Sequence, residues 1–374
     1  MLDLSTDSLI TSTTYTTSTG LVRIFGNDFS HDKVTRFLNK EALDNKKLWT
    51  FIKPFVCSVE CEDSVLIVDD TIFEKPHKGV YSFDEAPLEN CPYKETKKGI
   101  KWYVSVLEAK FVFANGFSIS VASEWLTNQN GKFDKQDCEQ AAFKRVAARV
   151  KTTFPRLAIL IRADGLYCCA PVFKLVQQYQ WKFIFTFKDD DLKSVWKKIK
   201  AAETATFEKI LRKENGHYLH EEFTFLNRIK YQESLLNYLE HLRYYQPDQP
   251  LEKQVRLSNI FLTSSNARQI NEQGRMRWKI ENQGFNAQKN QGFGLEHKYA
   301  RKELNTIKNY DLILQIVHMI SQLVEKRSTF RKALEQSGRT IKNLIEEAIA
   351  EMKKRTIIGV EVFRSCYSTK QLRY

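Results

Sequence analysis

Hydrophobic and polar positions follow two periods along the chain. Short, almost wholly apolar runs at 65–68, 157–161 and 182–187 suit strands buried on both faces. Residues 102–112 and 117–125 are aromatic and β-branched, and the Asn115-Gly116 step between them signals a hairpin. Helical spacing appears first in Val34, Phe37 and Leu38, behind Ser30 as a cap, and again in Leu48, Phe51, Ile52 and Phe55 near Pro54. Further helices are predicted over 134–153, ended by Pro155, and over 171–180, 312–324 and 340–353. Residues 266–290 read as one long polar helix with an apolar minority. The order is strand, two hairpin strands, helix, strand, helix, strand and, much later, a helix, which predicts an α/β class with a mixed sheet.

The long interval before that last helix implies an insertion. Residues 190–265 open with a basic helical piece and continue in alternating segments around 218–229 and 254–262, so a largely β subdomain is expected. The expected organisation is a helical N-terminal region over 1–62, a first core part over 63–190, the insertion over 191–265, a second core part over 266–330 and a helical C-terminal region over 331–374. The Ser- and Thr-rich residues 1–20 are expected to be poorly ordered. Pro76, Gly79, Pro87 and Pro92 mark a long loop over 75–98. A chain of 374 residues exceeds one compact core, in keeping with this division.

Charge narrows the class of partner. The net charge of +13 and pI near 9.2 favour a polyanion, most often nucleic acid. A hydrophobic fraction of 42% excludes wholesale disorder. Apolar runs all fall short of the roughly 18 residues a membrane helix needs. The first residues lack the basic start and apolar centre of a signal peptide. The seven cysteines are scattered without a CxxC pair, and free thiols in a reducing cytoplasm are the expectation.

Three carboxylates stand out. Asp70 closes the run VLIVDD, Asp164 closes LAILIRAD, and Glu281 lies in the polar helix. Strand ends are where open α/β sheets place their sites. Adjacent strand residues point to opposite faces, so Asp69 is the alternative to Asp70. A turn after a strand is the plainer reading of either. Arg277 and Glu281 share a helix face, with Lys289 near the edge of that face two turns on. Two strand-end carboxylates and one helical carboxylate can hold a pair of divalent metals while neighbouring cations hold a phosphate. Lys197 and Lys198, in the basic piece, suit sequence-independent phosphate contact, although a solvated helix face is the usual role of such lysines.

The segment Arg277-Trp278-Lys279-Ile280-Glu281 resembles the DDE transposases of bacterial insertion sequences, in the group with the signature Tyr-x2-Arg-x3-Glu-x6-Lys. The likeness spans about residues 65–330. It departs at Gly274, where the group has tyrosine, and at Gln288, which takes the lysine position and leaves Lys289 one residue late. The resemblance implies an RNase H-like mixed-sheet core with an inserted β subdomain, catalytic and metal-binding roles for Asp70, Asp164 and Glu281, and two Mg²⁺ per site, with Mn²⁺ as substitute. It further implies DNA contacts from Arg277, Trp278 and Lys289, with cut-and-paste transposition through a hairpin. The implied partners are double-stranded DNA (terminal inverted repeats and target) and a second copy of the chain, in the bacterial cytoplasm at the nucleoid. Trp181, Trp196 and Trp278 are candidates to stack a flipped base, although each is more often core. An end-binding derivative without cleavage and an RNase H-like nuclease without strand transfer are the rival readings.

Overall fold

The computed structural model describes residues 30–40, 65–74, 93–96, 99–113, 117–127, 138–189, 191–212, 218–246, 249–275 and 303–325, with a few isolated positions. The predicted helix over 340–353, most of that over 48–55, residues 75–92 of the predicted loop, and Arg277, Trp278, Glu281, Gln288 and Lys289 lie outside them; the end of that loop, 93–96, is a strand and not a loop.

Strands β1 (Val65–Glu74), β2 (Tyr93–Thr96), β3 (Gly99–Val112) and β4 (Ser118–Leu126) come first. Helix α2 (Glu139–Thr153) follows them in the chain after α1 (His31–Lys40). Then come β5 (Leu160–Ala163), a 3₁₀ turn (Gly165–Tyr167), α3 (Ala170–Gln178), β6 (Lys182–Thr186) and α4 (Lys193–Lys200). Strands β7 (Ala205–Arg212), β8 (Tyr218–Tyr231), β9 (Ser234–Gln246) and β10 (Gln249–Ser258) precede α5 (Ala267–Arg275) and α6 (Leu304–Glu325). Among these helices none is long and apolar enough to cross a membrane.

All ten strands join one mixed sheet, ordered β2-β3-β1-β5-β6-β10-β9-β8-β7, with β4 also on β3. The apolar start of β1 is buried, and β1 is an interior strand, with β3 antiparallel on one side and β5 parallel on the other. β1 runs well beyond its apolar residues. β3 pairs with it from Val65 to Glu74, whereas β5 pairs only with Val65, Leu66 and Ile67. Asp69 and Asp70 therefore lie within a strand, past the end of its parallel neighbour, and not in a turn. The hairpin closes as expected, with the Phe113 amide donating to the Phe117 carbonyl at 2.9 Å.

The insertion is β-rich as expected, but it is not a separate layer. β10 pairs antiparallel with β6, aligning Arg256 with Thr186 and Ser258 with Ile184, so the inserted strands extend the core sheet. α5 covers this junction. Its Ala267 and Ile270 pack with Ile184, Phe223, Leu239 and Leu262. The helix predicted over 312–324 forms as α6 and groups with α1 in a second compact unit. There Thr306 hydrogen-bonds Asn39, and the Asn309 amide donates to the Leu38 carbonyl at 2.7 Å. Val34 and Leu38 supply the buried stripe of α1. His318 is buried beside Gln322, as expected of a core histidine.

Gly274 explains one departure from the signature. A Cβ here would stand 2.6 Å from Nε of Arg256 and 3.3 Å from Cγ2 of Ile184. Arg256 is itself buried and donates to the Thr186 hydroxyl, so it has little room to move aside. A tyrosine at 274 has no place without displacing it. Gly274→Tyr should therefore lose about 1–3 kcal/mol from overpacking, read as a lower Tm in thermal denaturation; an unchanged Tm would show that the contact yields freely.

Candidate active site

The β1–β5 pairing positions the aspartates. Val65 aligns with Leu160 and Ile67 with Arg162, and Asp164 continues the extended backbone of β5. Asp69 and Asp164 each lie two residues beyond the last pair, Ile67 with Arg162. Paired residues share a sheet face, and successive residues alternate. Asp69 thus shares the face of Arg162 and Ile184, which α5 covers further along the sheet, while Asp164 caps the turn beyond the paired residues. Asp70 belongs to the opposite face. Asp70 and Asp164, singled out in the sequence, lie on the neighbouring strand β1 and just past the end of β5, with Asp69 on the face of β1 opposite to Asp70; Glu281 lies outside the described residues.

Each face has its own surroundings. On the first, Asp69 stands opposite Glu108 of β3, an arrangement that repels unless compensated. The compensation is Lys110, whose ammonium is 3.0 Å from Glu108 with both side chains only 1% exposed. On the other face, Asp70 adds to the burial that pushes the half-buried Tyr103 phenol up. There too lies Glu139, in the first turn of α2. Its carboxylate accepts a 2.5 Å hydrogen bond from the Tyr167 hydroxyl. Burial above all pushes the Glu139 carboxyl up from 4.5 to about 7; the charges of Asp70, Asp164 and Asp69 add to it, and the Tyr167 bond opposes it. Burial likewise raises Tyr167, with Glu139 beside it.

The turn after Asp164 is tightly built. One oxygen of Asp164 caps it, accepting from the Leu166 amide at 2.9 Å. Gln140 donates to the Leu166 carbonyl at 3.2 Å, tying the start of α2 to the turn. Tyr167 is buried and meets Phe143 edge to face at 5.0 Å. The second Asp164 oxygen is free of the turn and lies 3.9 Å from the Lys188 ammonium. A carboxylate oxygen left outside the turn is of the kind that a hard divalent metal prefers, and the Lys188 ammonium competes for it. Among the described residues, no group of three or more His, Cys, Asp or Glu is arranged to hold a metal ion. Burial pushes the Cys168 thiol up, so it is an inert packing group.

The basic helix and the tryptophans separate by environment. Lys197 is exposed on α4, while the Lys198 ammonium donates to the Lys230 carbonyl at 2.5 Å. Trp181 is buried, and Trp196 stacks on Phe187 at 4.7 Å, so both serve packing. Glu139, Tyr167, Glu108, Lys110 and Lys188 were not singled out in the sequence. An acid in a helix's first turn is ordinary dipole complementation, and a lysine after a strand is ordinary punctuation. Nothing local separates these residues from those roles.

Compared with known proteins, the chain matches no family model and no curated protein.

The raised Glu139 carboxyl sets a pH dependence. The folded chain keeps a proton on Glu139 that the unfolded chain releases above pH 4.5 or so. This contribution to stability is full below that pH and is lost as pH rises through about 7. Glu139→Gln should flatten the loss, seen as a smaller fall in Tm between about pH 5 and about pH 8 than in the wild type. An equal fall in both would assign it to another group.

Proposed function

We propose that the chain is a metal-dependent DNA transposase of the DDE type, cutting and joining the ends of an insertion sequence. The observation that carries this reading is the parallel pairing of β1 with β5, which puts Asp69 and Asp70 on the strand beside the one that Asp164 follows. The strand order β4-β3-β1-β5-β6, with β1 antiparallel to β3 and parallel to β5, supports an RNase H-like core. The Arg277-Trp278-Lys279-Ile280-Glu281 segment and the net charge of +13 support DNA as substrate.

In this reading Asp164, Glu281 and one of the β1 aspartates hold two Mg²⁺ ions, which Mn²⁺ can replace. Bound metal supplies Lewis acidity for the attacking and leaving oxygens of phosphoryl transfer. The sequence pattern selects Asp70, on the face of Glu139; Asp69, on the face that α5 covers, is the alternative. Arg277 and Lys289 hold phosphate, with Trp278 beside them, and the exposed Lys197 tracks the backbone. The partners are terminal-repeat and target DNA and a second copy of the chain, in a bacterial cytoplasm at the nucleoid.

An end-binding derivative without cleavage is the second reading. The packing of Gly274 against Arg256 favours it, since the signature's tyrosine has no room there.

The test is cleavage of a labelled duplex carrying the element's own end, with Mg²⁺ or Mn²⁺. Wild type should nick it and form the hairpin, and Glu281→Gln should lose both. Of Asp69→Asn and Asp70→Asn, the metal-holding position should lose cleavage by about 100-fold or more. Specific binding with no wild-type cleavage would overturn the enzyme in favour of the binding-only reading.

A further inference from the structure

Lys188 sits where β6 ends, and its backbone is clamped at both polar atoms. Its amide donates to the Asp191 carboxylate at 2.9 Å, and its carbonyl accepts from the Trp196 indole at 2.9 Å. Trp196 is in turn stacked on Phe187. The loop is held in a costly shape: Leu192, which opens α4, has φ 39° and ψ 62°, a left-handed conformation poor for leucine. Opposite the loop is Gly165, the residue after Asp164. A Cβ on Gly165 would stand 2.5 Å from the Asp191 carboxylate and 3.4 Å from Cγ and Cδ of Lys188. The absence of that Cβ lets the lysine stem lie across the Asp164 turn. The anchored loop thus delivers a 62% exposed side chain to within 3.9 Å of the Asp164 oxygen that does not cap the turn.

We propose that Lys188 is a further catalytic residue, whose ammonium occupies the cation place on Asp164 in the metal-free chain and turns to a non-bridging oxygen of the scissile DNA phosphate when metal takes that carboxylate. The proposal rests on the transposase reading and gives that site a phosphate contact independent of the displaced Lys289. Lys188 keeps its proton throughout. The bond from the attacking oxygen to phosphorus forms and the phosphorus–leaving-oxygen bond breaks as before, while the ammonium offsets charge gathering on the phosphoryl oxygens. Its place also fits α4, whose exposed Lys193, Lys197 and Lys200 continue from the same loop as a surface for the flanking backbone.

The experiment compares wild type, Lys188→Ala and Lys188→Arg as full chains of equal Tm. Without DNA, Lys188→Ala should bind Mn²⁺ about fivefold tighter, because one positive charge some 4 Å from the ligand oxygen is gone. A damaged fold would weaken Mn²⁺ instead. With Ca²⁺ in place of Mg²⁺, the salt dependence of binding to the end duplex should lose about 0.9 from its log–log slope. With Mg²⁺, single-turnover cleavage should fall by about 100-fold and recover in part in Lys188→Arg. Unchanged Mn²⁺ affinity and slope, or wild-type cleavage by Lys188→Ala, overturns the role of Lys188 and leaves the transposase reading standing. Absent cleavage by the wild type, with the Mn²⁺ and slope effects present, overturns the transposase reading and keeps Lys188 as the phosphate contact.

Discussion

The unequal pairing of β1 is the constraint on which the candidate site depends. β3 accompanies this strand to Glu74, but β5 leaves it after Ile67. Strand geometry is thereby maintained past the point where one neighbour is lost. The backbone beyond Ile67 is held straight on one side and opened on the other, and the carboxylates sit at that opening. The short β5 then turns through Asp164 into a tight 3₁₀ turn, whose cap is Asp164 itself. One pairing accident in a loop would scatter these groups; a strand held along its whole length by a partner does not.

Charge in this sheet is costly and is met in different ways. Glu108 and Lys110 are almost fully buried and form an ion pair at 3.0 Å, since a lone buried charge would be ruinous. Arg162, also buried, has its guanidinium pulled down to about 9, by burial first and then by Arg256. Around the strand ends the balance is the reverse. Asp69, Asp70, Asp164 and Glu139 crowd together, and the proton held on Glu139 and the ammonium of Lys188 relieve them.

The continuity of the sheet couples this edge to the inserted strands. Because β10 pairs with β6, α5 packs over a joint surface of core and insertion. Gly274 lies in that surface, close against Arg256. The helix that leads toward Glu281 is therefore seated on the insertion as much as on the core.

Much of this was determined by the sequence alone. Local periodicity, β-branched content and turn residues dictated the order of strands and helices, the hairpin, and a β-rich insertion. Apolar runs ending in aspartate marked Asp70 and Asp164, because backbone preference and burial pattern are properties of neighbouring residues. Tertiary structure alone decided the length of β1 past its apolar residues, the faces taken by Asp69 and Asp70, the joining of β10 to β6, and the grouping of the helix over 304–325 with α1. Those outcomes rest on register and on partners distant in the chain, and a shift of one residue reverses every side chain of a strand. Glu139, Tyr167 and Lys188 became visible for the same reason: each is ordinary where it stands in the chain and distinctive only beside the others.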